Sequence, residues 1–265
     1  MADITNVTDY NASMAKSLID KIFFMDKLDE SVTAIFDYGC ADGTLIHFLA
    51  PIFPDMFFIG YDASKEMIDC AKEKNASVSN AIFFHDLDDF YEWADAHKLS
   101  FSKAAINLSS LIHEVYSYGT ARSIDEFWSF VNRTGFEYVI IRDMGLDASA
   151  HRASLKEDVL KVRTGYDASL LSEFEGFHGS IHDNYNLIHF LMKYRYKENW
   201  EREVRENYLP LSVEDMASHI DRRYELLYFD HYVLPFLSNV VKRDFDIVIK
   251  DYTHVKFIYR RRKVM

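Results

Sequence analysis

The stretch Ile35-Phe36-Asp37-Tyr38-Gly39-Cys40-Ala41-Asp42-Gly43-Thr44 decides the fold. A short apolar run enters a turn with two glycines and continues into Leu45-Ile46-His47-Phe48-Leu49. That order reads as buried strand, tight turn and helix. Gly39 permits the turn and lets backbone approach a ligand. Gly43 removes a side chain where the turn enters the helix, whose first N–H groups suit a carboxylate or phosphate. The chain has only 9 glycines in 265 residues, so two of them four positions apart are informative.

The same alternation continues on either side. A helix is expected over residues 12–25 and strands over 33–38, 56–61, 81–84, 103–108 and 138–142. Helices are expected over 65–74, capped by Ser64, over 87–97, and over 124–133, capped by Ser123. Strand and helix alternating at this spacing predicts a doubly wound, mostly parallel α/β sheet with right-handed crossovers. Ligands of such sheets sit outside the carboxyl ends of the strands, where the strand order reverses. After Met144 the pattern changes. Residues 151–162 read as a helix, and residues 181–205, rich in Tyr, His and charge, as one or two more. Residues 224–233 and 254–260 read as strands. The expected organisation is a core over residues 1–146, a helical insertion over 147–222, and closing strands over 223–265.

Asp37, Gly39, Ala41 and Gly43 resemble the first motif of the class I, Rossmann-like methyltransferases that use S-adenosylmethionine, an acidic residue followed by x-Gly-x-Gly-x-Gly. Ala41 replaces one glycine. A dinucleotide motif would space its glycines differently. The resemblance covers about residues 31–144. It implies a seven-stranded sheet of the class I methyltransferase type, with the helical insertion before the last two strands. It implies S-adenosyl-L-methionine as cofactor, with Asp37 near its amino group and the backbone of Gly39, Cys40, Ala41 and Gly43 against it. Asp62 ends the second strand, where a carboxylate can accept both hydrogen bonds of a ribose diol. Ala63 and Met67 follow it. Asp86 and Leu87, after the third strand, fall where the family binds adenine. Asn107 and Leu108 end the fourth.

Methyl transfer from a sulfonium needs a held nucleophile and, for some acceptors, a base. The candidates are His113, whose ring titrates near neutrality, and Glu114, which could orient it or bind a substrate cation. Tyr10, Tyr116 and Arg142 are candidate substrate-binding residues, Arg142 with a structural ion pair as its alternative. His178 and His182 would share a face if one helix held both. Asp143 with His113 and Glu114 could converge on a metal, but no ligand spacing supports one and none is expected. The run Glu201-Arg202-Glu203-Val204-Arg205-Glu206 reads as a solvated helix face and Arg260-Arg261-Arg262-Lys263 as a solvated tail.

The net charge of −12 falls entirely in the first 150 residues, which disfavours binding a nucleic-acid backbone. The aromatic insertion suits a pocket for a small molecule. The expected activity is therefore methyl transfer to oxygen or nitrogen of a small-molecule acceptor, with RNA or protein acceptors left open. The rivals are an NAD-dependent oxidoreductase on a similar sheet and a non-catalytic binding module. Two cysteines without metal spacing, no signal-peptide pattern and no long apolar run suit a cytoplasmic protein without a membrane span.

Overall fold

A computed structural model describes residues 18–263. The central sheet comprises β1 (Ala34–Tyr38), β2 (Phe57–Tyr61), β3 (Ala81–Phe84), β4 (Ala104–Ser109), β5 (Tyr138–Met144), β6 (Tyr224–Tyr232) and β7 (His254–Arg261). Their order is β3-β2-β1-β4-β5-β7-β6. The first five strands pair in parallel, and β7 enters antiparallel between β5 and β6. This is the seven-stranded arrangement that the motif implies. The order reverses between β1 and β4, so the loops leaving these neighbours diverge and open a recess.

Alternation along β1 builds both faces at once. Ala34 and Phe36 enter one core cluster, while Ile35 enters the other, on the opposite face. α1 (Leu18–Lys21) precedes β1, and the crossovers supply α2 (Thr44–Leu49), α3 (Lys65–Lys74), α4 (Leu87–Ala96), α5 (Ile112–Tyr118) and α6 (Ala121–Arg133). Ser64 caps α3 as expected, its hydroxyl accepting from Met67 N. The α6 cap is Thr120, not Ser123. Ser123 is the third helical residue, and its hydroxyl accepts from Thr120 N while Thr120 accepts from Ser123 N. A serine at the third helical position completes the capping box, so it carries the same sequence signal as the cap itself. The expected helix over 12–25 falls partly outside the described residues. Within them it runs Leu18–Lys21 and gives way to turns.

Between β5 and β6 lie α7 (Lys156–Gly165), α8 (Ala168–His178), α9 (Asn184–Lys193), α10 (Trp200–Glu203) and α11 (Val213–Ser218). A helix not expected from the sequence, α12 (Pro235–Phe245), joins β6 to β7. Its Leu237, Val240, Val241 and Phe245 pack in one cluster with Val159, Phe174, Phe190 and Trp200 of the preceding helices. The 151–162 expectation began too early: residues 148–150 form a single 3₁₀ turn before α7. His178 and His182 do not share a helix face. His178 ends α8, and Gly179 at φ 96° turns the chain away before His182. The basic run is no solvated tail at its start. Arg260 pairs with Glu137 and Asp29, and Arg261 donates to Gly135 O. Among the described residues no helix is long and apolar enough to cross a membrane.

Candidate functional site

The recess at the carboxyl ends of β1 and β4 is lined by Lys21, Asp37, the 39–42 turn, Thr44 and Ser109, among others. The turn takes three left-handed residues: Gly39 at φ 79°, Ala41 at φ 47° and Gly43 at φ 70°. Ala41 therefore occupies a conformation that glycine adopts more easily. A Cβ at Gly39 would lie 2.6 Å from Leu111 Cδ1, the end of a side chain that can move aside, so the positive φ is what calls for glycine there.

Asp62 holds this turn in place. Its Oδ2 accepts from Ala41 N at 3.0 Å and its Oδ1 from Ser64 N at 2.8 Å. A carboxylate has about four lone-pair sites, so two remain. Burial raises the Asp62 pKa, opposed by these two backbone donors. The α2 N-terminus already carries a negative group of its own, the Asp42 carboxylate. Asp42 Oδ1 accepts from Thr44 N at 3.2 Å and from Thr44 Oγ1, and Lys74 pairs with Asp42.

Asp37 is buried opposite Asn107 in register, and Asn107 Nδ2 donates to Asp37 Oδ1 at 2.7 Å. Burial pushes the Asp37 carboxyl up to about 6, against the Asn107 hydrogen bond and the Lys21 charge. Lys21 is buried as well. Burial brings its ammonium down to about 8, with Arg142 adding to that effect and Asp37 opposing it. Asn107 Oδ1 and Ser109 Oγ are buried without a hydrogen-bond partner. Two orphaned polar atoms at the end of β4 fit a polar ligand group, because burying them unpaired is otherwise unfavourable.

The other expected residues scatter. Met67 is buried on α3 and Ala63 is exposed beside Asp62. Asp86 is exposed and caps α4, accepting from Asp88 N, with Leu87 half-buried next to it. The Leu108 side chain packs in the sheet core, leaving only its backbone for a ligand. Cys40 is buried, and burial raises its thiol pKa well above the ordinary value. Tyr116 turns away from the recess: its hydroxyl meets His219 Nε2 at 3.0 Å and accepts from Trp128 Nε1 at 3.1 Å. Arg142 is in a structural ion pair, but with Asp20 rather than its neighbour Asp143, and it also donates to Ser110 Oγ. Tyr10 lies outside the described residues.

A second polar centre adjoins the end of β5. Asp143 is fully buried and accepts from Leu111 N, Ile112 N and Met144 N at 3.0, 2.6 and 2.8 Å. Its Oδ1 lies 2.7 Å from His113 Nδ1. His113 Nε2 lies 3.1 Å from Glu206 Oε1. Burial alone would lower the His113 pKa, but the two carboxylates override it and hold the ring at about 10. A general base at His113 would have to act between two carboxylates, since each ring nitrogen faces one. Burial pushes the neighbouring Glu114 up to about 7.

Glu206 escaped the sequence reading. It closes the alternating charged run taken for a solvated face, yet it is only 3% exposed. Arg202 lies 3.5 Å from Glu206 Oε2 and 3.7 Å from Glu114 Oε1, and the Tyr118 hydroxyl donates to Glu206 Oε2 at 3.2 Å. Lys21 escaped as well, since one lysine on an amphipathic segment reads as solvated.

No protein-family model matches the sequence, and no curated protein matches it. Similar solved structures include the plantazolicin methyltransferase BamL in complex with a triazolic desmethylPZN analog and SAH. It shows 12% identity over 96% of this chain and 88% of that one, with a TM-score of 0.48. The methyltransferase domain of bacterial CtHen1 shows 12% identity over 95% and 97%, with a TM-score of 0.45. The MccD protein shows 10% identity over 94% and 99%, with a TM-score of 0.46. At these values none of them assigns a role to a residue here.

Proposed function

We propose that this chain is an S-adenosylmethionine-dependent methyltransferase that methylates oxygen or nitrogen of a small-molecule acceptor. The observation that carries the reading is the set Asp37, Asn107 and Asp62 around the left-handed 39–43 turn, at the point where the strand order reverses. The residues fit the group. Asp37 and the orphaned Asn107 Oδ1 would take the cofactor's amino group. Lys21 would pair with its carboxylate, and the remaining lone pairs of Asp62 with its ribose diol. Asp86 and Leu87 would meet the adenine. The bound cofactor supplies an electrophilic methyl group on a sulfonium.

The protein's own part is to orient and to exclude water. The acceptor would lie on the Glu114 side of the recess, beneath the helices between β5 and β6. Their aromatic content favours a compact organic acceptor over a nucleic-acid backbone, as does the acidity of the first 150 residues. The insertion of an antiparallel β7 between β5 and β6 also departs from the 3-2-1-4-5-6 order of dinucleotide-binding sheets.

Calorimetric titration with S-adenosylhomocysteine and, separately, with NAD tests the cofactor. One equivalent of the former and none of the latter is expected. Saturable NAD binding without the nucleoside would overturn the reading. Transfer of label from methyl-labelled cofactor to small-molecule fractions, but not to RNA or protein, tests the acceptor.

A further inference from the structure

The polar centre at the end of β5 is built of three ligand-bearing side chains from two distant parts of the chain. His113 and Glu114 stand on α5, and Glu206 follows α10. One ligand atom from each lies within 4.8 Å of the others. We infer that His113, Glu114 and Glu206 bind a divalent transition-metal cation, with Asp143 orienting the histidine.

The supporting contacts have the form that metal sites use. A ligating histidine presents one nitrogen to the ion and gives the other N–H to a carboxylate. Here Asp143 Oδ1 holds Nδ1 at 2.7 Å, which leaves Nε2 facing Glu206 Oε1 at 3.1 Å. Asp143 is itself fixed by three backbone N–H groups, so the ring cannot swing. Glu206 is arranged in the same way. Its Oε2 is held by Tyr118 and Arg202, and Oε1 is turned to the centre.

The charges also suit a cation. Asp143, Glu114 and Glu206 carry three negative charges and Arg202 one positive charge. A divalent cation would take the place of the proton on His113, so that the imidazole binds it in the neutral form and the ion offsets the carboxylates around it. One nitrogen with two carboxylate oxygens suits manganese, iron, cobalt or zinc better than the all-oxygen preference of calcium and magnesium. Glu114 keeps 29% of its side chain exposed, so the site has an open side for water or an acceptor. If the methyltransferase reading holds, an acceptor hydroxyl bound there would lose its proton to solvent more readily, and the alkoxide would form its O–C bond to the methyl as the C–S bond breaks and the electron pair leaves on sulfur as S-adenosylhomocysteine.

The test uses the full chain, stripped with chelator, titrated with zinc chloride and with manganese chloride by calorimetry. One equivalent of at least one ion is expected. Glu114→Gln and Glu206→Gln should each weaken that binding at least ten-fold, while Glu66→Gln, on the exposed face of α3, should leave it unchanged. Glu114 is part-exposed, so Glu114→Gln remains decisive should Glu206→Gln not fold. No saturable binding of either ion, or undiminished affinity in Glu114→Gln, overturns the inference. S-adenosylhomocysteine is titrated into the same samples. Metal binding without nucleoside binding would leave the site standing and sink the methyltransferase reading alone.

Discussion

Asn107 donates through Nδ2 to Asp37 Oδ1 at 2.7 Å, from the residue directly opposite on the neighbouring strand. The bond fixes one oxygen of a buried carboxylate and leaves Asn107 Oδ1 without a partner. The pair thus presents acceptors where two parallel strands end.

The first prediction follows from Asp37. Its folded value of about 6 lies above the 3.8 of a free aspartate. Stability from this group is therefore fully present below pH 3.8 and is lost as pH rises through 6, a difference of about 3 kcal/mol. Ligand affinity has the opposite sign, because the cofactor's ammonium needs the carboxylate ionised. S-adenosylhomocysteine affinity is expected to fall as pH drops through 6. Asp37→Asn should bind at least ten-fold more weakly at pH 7.5 and lose the pH dependence. Calorimetry between pH 5 and 8 checks both.

Lys21 limits the alkaline side. Its ammonium, brought down to about 8, loses its charge as pH rises through that value. Affinity for the nucleoside's carboxylate should decline above pH 8 in the native chain. Lys21→Met should bind several-fold more weakly at pH 7 and show no decline. An unchanged alkaline limb in Lys21→Met would remove Lys21 from the site.

Asp62 serves both the turn and the proposed ribose site. Asp62→Ala removes the acceptor for Ala41 N and Ser64 N and should abolish measurable nucleoside binding. It should also lower stability by about 1–3 kcal/mol, the usual result of orphaning a buried donor. Intact binding in Asp62→Ala would show the ribose placement to be wrong.

Asp143→Asn replaces a buried carboxylate that three N–H groups and His113 share. Breaking such a pair costs about 3–5 kcal/mol, which corresponds to a fall in Tm of roughly 10 °C for a chain of this size. A thermal melt followed by circular dichroism reads it, and a fall under about 3 °C would contradict the assignment.

The strands were legible because each is a short apolar run between turn residues, as in 34–38 and 104–109. Asp37 and Asp62 were legible because they stand at strand ends. The polar centre was only half legible. His113 and Glu114 are adjacent in sequence, but their partner Glu206 lies in a run whose alternating charges give the pattern of a solvated surface. Only the packing of that run against α5 reveals the burial. The same limit hid α12. Its apolar face meets the other helices through residues far away in sequence, and no cap side chain marks its start. Sequence patterns report local periodicity, and these features depend on what the far parts of the chain bring.

The antiparallel insertion of β7 also bears on how the molecule is made. Tyr138 of β5 pairs with Arg260 of β7, and every helix of the cap lies between them. During synthesis β5 would remain an open sheet edge, with unpaired N–H and C=O groups, until residues 254–261 leave the ribosome. Closing so long a loop is slow. The nascent chain thus passes through a stage in which the half with the parallel strands is nearly assembled, yet its sheet can still pair with another chain.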